Sequence, residues 1–453
     1  MFDIGKTNKK VLLFNRSLQI VHEAETIFPE IADDDGFKGD DIEKLEAWIF
    51  EKCHQFLQDD SFEVHGINFT TYGATLMYLD GRGTRLTPVY NYLKPMPERI
   101  AEELYERYGG KEEFCRRTAS PALGMLNSGL QALWLKEKKP EVFERVSAIL
   151  HFPQYLSHLL TGIASAEHTS IGCHTALWDF DRMQYHPWTR ELGEKLPEPS
   201  PVGTAYPSAT LEKEIPAGIG IHDSSSSLVP YFMHSDDPFI LISTGTWCIS
   251  MNPFNPSPLT PSQLEQDCLA YMSMQQKPVK SSRLFLGHIH DVNTARIAAA
   301  FGVDEDAYKG VVFNEDLIRS LWKRSKGRRV FYRDGIPDDH LDEHVEPGSF
   351  SSFEEAYHRL VMDLVDLTIH SIGLITEPDD ASKNIYITGG FSKNPIFVQM
   401  MATRFPDKKV FTSEIANATS LGAAMVLWNA VDQAFTPSSD LGLTPAEPVE
   451  GIL

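Results

Sequence analysis

The segment from Gly218 to Trp247 most narrows what this chain can fold into. It carries a lone carboxylate, Asp223, after a short apolar run, and then a strand-like stretch at 239–242 that ends in Ser-Thr-Gly-Thr-Trp. A buried strand that runs into a small, hydroxyl-rich turn directs several backbone N–H groups at an anion. A carboxylate beside such a loop can accept a proton from a hydroxyl, as phosphoryl transfer to an alcohol requires. The segment therefore predicts a phosphate site with a general base.

The length of the chain predicts two domains. A single hydrophobic core usually stops growing at about 250–300 residues, and this chain has 453. A polar break at 234–238, which ends in a proline, separates the candidate base from the strand-like stretch that follows it. We therefore expect one domain over residues 1–235 and a second over residues 236–453.

Charge and cysteine usage argue against several classes of function. The formal net charge is −22, so a broad electrostatic surface for DNA, RNA or an anionic membrane is not expected. The five cysteines are scattered, without a Cys-x-x-Cys pair, as in proteins of a reducing cytosol rather than in zinc sites or disulfide frameworks. No apolar run approaches the ~18 residues of a membrane span. These features predict a cytoplasmic protein without nucleic-acid or membrane partners.

The N-terminus holds a second candidate phosphate loop. A polar turn, Asp3–Lys10, precedes a strand-like run at 11–14. Only two residues precede Asp3, so the first strand of this hairpin is very short or the chain lacks its true start, and we favour a missing start. Asp3 alone is more typical of a surface turn than of a carboxylate that holds a cation through water. Lys6 and Lys9 favour an anion near this turn.

Each half of the chain opens with strands and a polar, glycine-bearing turn, which suggests two similar lobes across a cleft. Apolar residues that recur with a period of 3.6 predict helices at 42–57, 293–301, 314–323 and 353–375 and a mainly helical segment at 98–175. Strands are expected at 64–69 and 384–388. The second of these strands leads into Gly389-Gly390, where a ligand can approach the backbone closely. The helix that begins near Asn417 has a small-residue face suited to tight packing.

Other catalytic and metal motifs carry less weight. No Gly-x-x-x-x-Gly-Lys-[Ser/Thr] occurs, which excludes P-loop kinases, and the serines 224–227 lack a Gly-x-Ser-x-Gly elbow. His288, His290 and Asp291 alternate in a way that could bind a metal. A single cluster without a partner is more typical of a hydrogen-bonded strand or loop, which is what we expect here.

The ordered set of motifs resembles the FGGY carbohydrate kinases, which include glycerol kinase, xylulokinase, rhamnulokinase and fuculokinase. The resemblance covers essentially the whole chain and rests on Asp3-x-Gly5-x-Thr7, Leu160-Thr161-Gly162 with Glu167-His168-Thr169-Ser170, Gly220-x-His222-Asp223-Ser224, Ser243-Thr244-Gly245-Thr246-Trp247, Thr388-Gly389-Gly390-Phe391-Ser392-x-Asn394 and Leu421-Gly422-Ala423-Ala424. It implies an α/β fold of two actin-like, ribonuclease-H-like lobes. ATP and a sugar would bind in the interlobe cleft.

The resemblance also implies roles for individual residues. Asp223 matches the general base, and Asp3 the acidic residue near Mg²⁺. The phosphate and ATP contacts fall on Gly5, Lys6, Thr7, Thr244, Gly245, Thr246, Gly389, Gly390 and Asn394, and the sugar contacts on Thr71, Tyr72, His222 and Asp223. Two departures stand out. Lys6 replaces the usual Thr or Ser, and Thr70 to Gly73 replaces the Gln-Met-His-Gly of the ketose kinases, so xylulokinase specificity does not follow.

The implied activity is transfer of the γ-phosphate of ATP to a small sugar, with Mg²⁺. A ketose or deoxyketose of five or six carbons is the leading acceptor class, polyols come second, and a homodimer is a family expectation. Two alternatives remain open: a catalytically silent sugar-binding or regulatory protein on the same fold, and an actin-like ATPase that cycles between conformations. Intact Asp223 and two phosphate loops argue against the first, and a base beside a sugar-sized cleft argues against the second.

Overall fold

Two separate sheets organise the chain. In this computed structural model residues 1–432 and 440–452 are described. The strands up to residue 235 are β1 (Phe2–Ile4), β2 (Asn8–Phe14), β3 (Ile20–Ile27), β4 (Ile31–Ala32), β5 (Lys38–Gly39), β6 (Phe69–Thr71), β7 (Leu76–Leu79), β8 (Ala148–His151), β9 (Ala166–Glu167), β10 (Trp178–Asp179), β11 (Gln184–Tyr185), β12 (Pro199–Ser200), β13 (Ala205–Pro207), β14 (Pro216–Gly218) and β15 (Ile221–His222). The helices there are α1 (Ile42–Gln58), α2 (Glu98–Arg107), α3 (Lys111–Arg117), α4 (Ser128–Lys138), α5 (Pro140–Arg145), α6 (Phe152–Thr161), α7 (His168–Ile171), α8 (Asp223–Ser226) and α9 (Val229–His234).

The second half contributes the other sheet and the longest helix. Its strands are β16 (Phe239–Thr244), β17 (Cys248–Asn252), β18 (Cys268–Met272), β19 (Pro278–Leu284), β20 (Asn384–Gly389), β21 (Lys409–Thr412) and β22 (Thr444–Pro445). Its helices are α10 (Pro261–Glu265), α11 (Leu286–Phe301), α12 (Glu315–Ser325), α13 (Phe353–Gly373), α14 (Pro395–Arg404) and α15 (Ala418–Val431).

The first sheet brings three distant segments to one edge. Its strand order is β15-β6-β1-β2-β3. β1 runs parallel to β6, with Asp3 opposite Thr70, and β15 runs parallel to β6, with Ile221 opposite Thr70. Because parallel strands end at the same edge, the residues that follow β1, β6 and β15 become neighbours. Asp223 directly follows β15, so the predicted base lies at this edge.

The second sheet repeats the arrangement with other residues. Its order is β18-β19-β17-β16-β20-β21-β22, and β16 runs parallel to β20 with Thr244 opposite Gly389. The loops after these two strands therefore share an edge. Helices α11, α13 and α14 cover one face and enclose the largest apolar core, as the periodicity of residues 353–375 predicts. The result is an α/β molecule with two lobes.

The last helix, α15, lies against the first lobe. It contacts α8, α9 and β6, and the Asn68 side chain donates a hydrogen bond of 2.8 Å to the carbonyl of Ala423. A Cβ atom on Gly422 would lie 2.0 Å from the Ser226 carbonyl oxygen, so only glycine permits this approach. The small-residue face thus packs tightly, as its composition predicts. The boundary between residues 235 and 236 stays a prediction.

Several local predictions differ from the structure. The first strand of the N-terminal hairpin is the three-residue β1, paired on both sides, as the short-strand alternative predicts, and the missing start stays a prediction. The strand expected at 64–69 is instead β6, preceded by a single bridge at Ile67. His288 to Asp291 lies in α11, not in a strand or loop, because residues 286–301 form one continuous helix. No helix among the described residues is long and apolar enough to cross a membrane.

We expect Gly422→Ala to destabilise the protein by about 1–3 kcal/mol, because α8 and α15 must separate to admit the methyl group. Gly373→Ala is the matched control, since Gly373 ends α13 and no atom lies within 4 Å of the place that a methyl group would take there; it should be neutral or slightly stabilising. Urea unfolding of both variants measures the difference. Equal stability would show that the α8–α15 contact is not tight.

Candidate active site

The carboxylate of Asp223 occupies the first position of α8, at the carboxyl end of β15. Its side chain is 30% exposed, so it is accessible but largely enclosed. Burial raises its pKa to about 6, and the Ser224 N–H, which donates to Oδ1 at 2.6 Å, opposes that rise. At neutral pH the group is therefore charged and more basic than an ordinary aspartate. Such a pKa suits a general base near neutrality.

His222 fixes the surroundings of this carboxylate. Its Nε2 lies 3.2 Å from Asp223 Oδ1 and 3.0 Å from the sulfur of Cys173. The imidazole stacks on Tyr271 of β18, at 5.9 Å between ring centroids. Burial lowers the pKa of His222 to about 4, so the ring is neutral at pH 7. Nε2–H can then donate to the ionised Asp223 and hold its orientation.

Asp3 is a second half-buried carboxylate at the same edge. Its Oδ2 accepts hydrogen bonds from Thr419 (2.5 Å) and Ser420 (2.8 Å) at the start of α15. Burial raises its pKa, the two hydroxyls oppose that rise, and the charge of Asp223 adds to it while Lys10 opposes it. The carboxylates at the ends of β1 and β15 therefore repel each other electrostatically. None of the described residues donates to Oδ1 of Asp3.

A buried ammonium group organises the first loop, residues 5–8. Lys9 is 2% exposed, and its Nζ donates to the carbonyls of Lys6 (2.8 Å) and Thr7 (3.4 Å). In a trans peptide the N–H points opposite to the C=O. The N–H groups of Thr7 and Asn8 are therefore turned away from the ammonium, while the Gly5 N–H is used by Asn8 O at 2.9 Å. The loop can present two amides to an anion.

Lys6 does not extend freely from this loop. Its ammonium contacts Asp40 at 2.7 Å and Glu30 at 3.3 Å. The hydroxyl of Tyr72 donates to the same Asp40 oxygen at 2.7 Å. Asp40 therefore joins the candidate phosphate loop to the candidate sugar residue, a link that no sequence pattern indicated.

Thr71 and Tyr72 lie where β6 ends. Thr71 is buried and donates to the Tyr72 carbonyl at 2.8 Å, which occupies its hydroxyl. Tyr72 packs on Phe152 at 5.3 Å between ring centroids. Tyr72 is buried as well, and its hydroxyl is occupied by Asp40. These residues follow the strand next to β15, so they flank Asp223.

A cavity of about 500 Å³ opens at the edge of the second sheet. Of the predicted ATP contacts, Gly245, Thr246, Gly390 and Asn394 line it. Its other lining residues are Gly287, His290, Asp291, Tyr308, Lys309, Val311, Tyr357, Phe391, Lys393 and Pro395. The cavity size and its mixture of aromatic and polar groups suit a nucleotide-sized ligand.

Thr244 and Gly389 lie behind this cavity and join its two loops. Thr244 Oγ1 donates to the Thr388 carbonyl (2.5 Å) and accepts from the Phe391 N–H (3.0 Å). Gly389 has φ +86°, and a Cβ there would lie 1.8 Å from the Thr244 carbonyl oxygen. Both residues therefore shape the loops rather than form the cavity surface.

Sequence reasoning missed the aromatic wall of the cavity. The His290 ring lies 4.9 Å from Tyr308 and 5.3 Å from Phe391, and its Nε2 is 3.2 Å from the Tyr357 hydroxyl. The same hydroxyl accepts from Asn394 at 2.9 Å. These residues come from four separate segments, so no local motif joins them. The sequence marks this region only by Gly287. In the structure a Cβ on Gly287 would lie 2.3 Å from the Gly245 carbonyl oxygen, so the glycine allows α11 to approach the loop.

Known protein families include sequences similar to this chain. Residues 1–194 match the N-terminal domain of the FGGY family of carbohydrate kinases. This part of the chain is therefore similar to that family. The chain is 27% identical over 271 residues to the L-fuculokinase of Escherichia coli (strain K12), a match that covers 55% of each protein. The chain thus spans about half the length of this relative, so the activity of the whole protein is a proposal.

Two further matches extend over nearly the whole chain. The rhamnulokinase of Oceanobacillus iheyensis is 22% identical over 95% of this chain and 93% of its own length. The crystal structure of a carbohydrate kinase from Novosphingobium aromaticivorans superposes with a TM-score of 0.80 at 22% identity, over 99% of this chain and 96% of that one. The fold is therefore the actin-like, ribonuclease-H-like two-lobed fold that the motifs implied.

We expect Asp223→Asn to be more stable than wild type at pH 7.5, by about 1–2 kcal/mol after allowance for partial exposure. A carboxyl whose pKa is raised from 3.8 to about 6 costs the folded state stability as pH rises through that window. The difference should largely disappear at pH 4, where the folded carboxyl is protonated. Thermal unfolding at the two pH values measures it; a variant less stable at pH 7.5 would contradict the assignment.

Proposed function

We propose that this chain is an ATP-dependent carbohydrate kinase that phosphorylates a hydroxyl of a small sugar, a ketose or deoxyketose. The observation that carries the proposal is the half-buried Asp223 carboxylate, with a pKa of about 6, on the same sheet edge as the amides of residues 7 and 8. The FGGY match and the relatives named L-fuculokinase and rhamnulokinase support it. The homodimer and the cytoplasmic location stay predictions.

Asp223 acts in this proposal as the general base. Its carboxylate accepts the proton of the sugar hydroxyl while that oxygen bonds to the γ-phosphorus of ATP. The bond from the γ-phosphorus to the bridging oxygen breaks, and ADP leaves. A positioned base accelerates such a step by roughly 10²–10⁴-fold. His222 keeps the carboxylate oriented through its 3.2 Å contact.

The two loops supply alignment and charge stabilisation. The transition state of phosphoryl transfer is loose, so donors fixed around the phosphoryl oxygens provide most of the remaining acceleration. The outward amides of Thr7 and Asn8 would supply such donors in the first lobe, and Thr246 in the second, where the Gly245 N–H already donates to the Trp247 carbonyl at 2.9 Å. The aromatic cavity beside Gly390 would hold the nucleoside.

Asp3 is the residue that would hold Mg²⁺. Its carboxylate is half-buried, its Oδ2 is fixed by two hydroxyls, and its Oδ1 takes no hydrogen bond from the described residues. An oxygen ligand of this kind, free on one side, suits a hydrated magnesium ion. Bound Mg²⁺ would neutralise charge on the β- and γ-phosphates.

Two other functions use the same fold. A silent sugar-binding or regulatory protein would bind sugar without turnover, and an actin-like ATPase would hydrolyse ATP without sugar. The raised pKa of Asp223 favours catalysis over the first. The position of Asp223 directly after β15, beside the Tyr72 that follows β6, favours an acceptor over the second.

We expect ADP release with Mg-ATP to be stimulated by one neutral sugar from a panel of L-rhamnulose, L-fuculose, D- and L-xylulose, L-ribulose, glycerol, erythritol and D-gluconate. Asp223→Asn should lower kcat by at least about 100-fold, because no base remains. As the pH is lowered through about 6, the wild-type kcat/KM should decrease, because Asp223 becomes protonated.

The matched control is Asp237→Asn, since Asp237 is half-exposed and paired with Lys383 away from the site. It should leave kcat unchanged. Turnover with every sugar absent would support the ATPase, and sugar binding without any turnover would support the silent protein.

Gly390→Leu should raise the KM for ATP at least tenfold without unfolding the protein. Gly390 lines the nucleotide cavity, and its Cβ position has no atom within 4 Å, so a side chain there would fill the cavity rather than clash. Gly348→Leu is the control, since Gly348 lies in another 3₁₀ turn with equally open space. An unchanged KM for Gly390→Leu would place the nucleotide elsewhere.

A further inference from the structure

A cleft in the second lobe carries an excess of positive charge, although the chain as a whole is acidic. The cleft has a volume of about 440 Å³, and its charged or titratable lining residues are Arg328, Arg329, Arg333, Asp366, His370 and Arg404. Four guanidinium groups thus line it together with one carboxylate, in a chain whose formal net charge is −22. A cleft lined by one sign of charge concentrates ions of the opposite sign.

Most of this positive charge is not neutralised within the protein. The one carboxylate, Asp366, pairs with Arg404. None of the described residues forms an ion pair with Arg328, Arg329 or Arg333. A guanidinium presents five N–H donors in a planar fork that matches the oxygens of a phosphate or carboxylate. The three unpaired arginines are therefore available to an anion from solution.

The loop that carries these three arginines, residues 327–333, is fixed to α13. The backbone N–H groups of Val330 and Phe331 donate to Oδ2 of the buried Asp363, at 3.0 and 2.8 Å. The same oxygen accepts from Nε of the buried Arg359 at 2.9 Å. The backbone of the loop is therefore held in place before any ligand binds, which lowers the entropy cost of binding.

Arg404 is the last residue of α14 and brings a fourth guanidinium group to the cleft. Its Nη1 donates to Asp366 of α13, and its guanidinium carbon lies 5.3 Å from the centre of the Trp322 ring of α12. Asp366 and Trp322 thus fix its position, while its other N–H groups take no hydrogen bond partner among the described residues. The cleft is therefore built from three helices and a fixed loop.

A larger cavity of about 730 Å³ adjoins this cleft, because Arg329 and Arg333 line both. Its lining includes Asp334, Glu346 and Ser349, whose oxygens can accept hydrogen bonds from hydroxyl groups. A phosphate group held by the arginines can therefore carry a hydroxyl-bearing organic part into the larger cavity. Inorganic phosphate alone would leave that space unused.

The cleft is separate from the cavity beside Gly390. No residue lines both. Tyr357 of α13 and Pro395 of α14 line the first cavity, and Asp366 and Arg404 of the same two helices line the cleft. Each pair is nine positions apart, which is about 13 Å along a helix. An anion in the cleft would therefore not compete with a nucleotide for the same contacts.

We propose that the cleft formed by Arg328, Arg329, Arg333 and Arg404 is a second ligand site, which binds the phosphate ester of a small polyhydroxy compound. The guanidinium groups bind the phosphate through charge-assisted hydrogen bonds, and the larger cavity holds the hydroxyl-bearing part. The net charge of −22 disfavours a long polyanion such as a nucleic acid, which would meet the acidic surface beyond the cleft. The inference uses none of the residues of the proposed function and does not depend on it.

Arg329→Gln combined with Arg333→Gln should weaken the binding of ribose 5-phosphate at least about tenfold, because two of the four guanidinium groups are lost. Calorimetry in the presence of excess Mg-ADP measures this affinity. Neither side chain pairs with a described residue, so both proteins should unfold at the same temperature. The matched control is Arg182→Gln combined with Arg190→Gln. It removes the same charge from two exposed arginines of the first lobe that also lack an ion pair among the described residues.

Two further ligands test the chemical class. Neutral ribose should not bind to the cleft, and inorganic phosphate should bind at least about fivefold more weakly than ribose 5-phosphate, because it leaves the larger cavity empty. Wild type that does not bind ribose 5-phosphate, equal affinity for inorganic phosphate, or an equal loss in the control variant would overturn the inference. Loss of binding on addition of Mg-ADP, or binding of a single-stranded oligonucleotide in place of ribose 5-phosphate, would do the same. Wild type that binds ribose 5-phosphate here but phosphorylates no sugar would overturn the proposed function alone.

Discussion

The parallel pairing of β1, β6 and β15 is the constraint on which the rest of the site depends. It places Asp3, Thr70 and Ile221 side by side although 67 and 151 residues separate them along the chain. Parallel strands need long crossover connections, and those connections here contain α1, α6 and α7. The turn after α7 also brings Cys173 to within 3.0 Å of His222, next to Asp223.

Buried charges then give this edge its chemistry. Lys9 is enclosed beneath the first loop and turns two carbonyls inward, which turns two amides outward. Asp40 neutralises Lys6 and Lys9 and also holds the Tyr72 hydroxyl. A buried charge needs partners of this kind, and removal of one leaves the other uncompensated. The same contacts that stabilise the loop therefore determine which donors remain free for a ligand.

Local patterns predicted much of the fold and less of the site. The helix at 353–373 and the turn at Gly389 follow from periodicity and from glycine, because these signals depend on neighbours in sequence. Asp223, Asp3 and the two loops were predicted because motifs mark them, and their roles stay predictions. Asp40 was not predicted, and His290 was considered only as a metal ligand and not as part of the cavity wall, since both roles arise from contacts over more than 30 residues. The His288–Asp291 alternation misled because periodicity over four residues cannot distinguish helix from strand.

The contact of α15 with the first strand has a consequence for synthesis. Asp3 leaves the ribosome well before Thr419 and Ser420, which hold it and follow more than 400 positions later. At ordinary translation speeds of about 5–20 residues per second, that interval is roughly 20–80 s. During it the first lobe has neither the hydroxyls that fix Asp3 nor the helix that covers Ser226. Until α15 is synthesised, the apolar residues of the first lobe that it covers, Leu18, Val202, Ile221 and Val229, lack their partners, and a chain released before that point would expose them to chaperones and proteases.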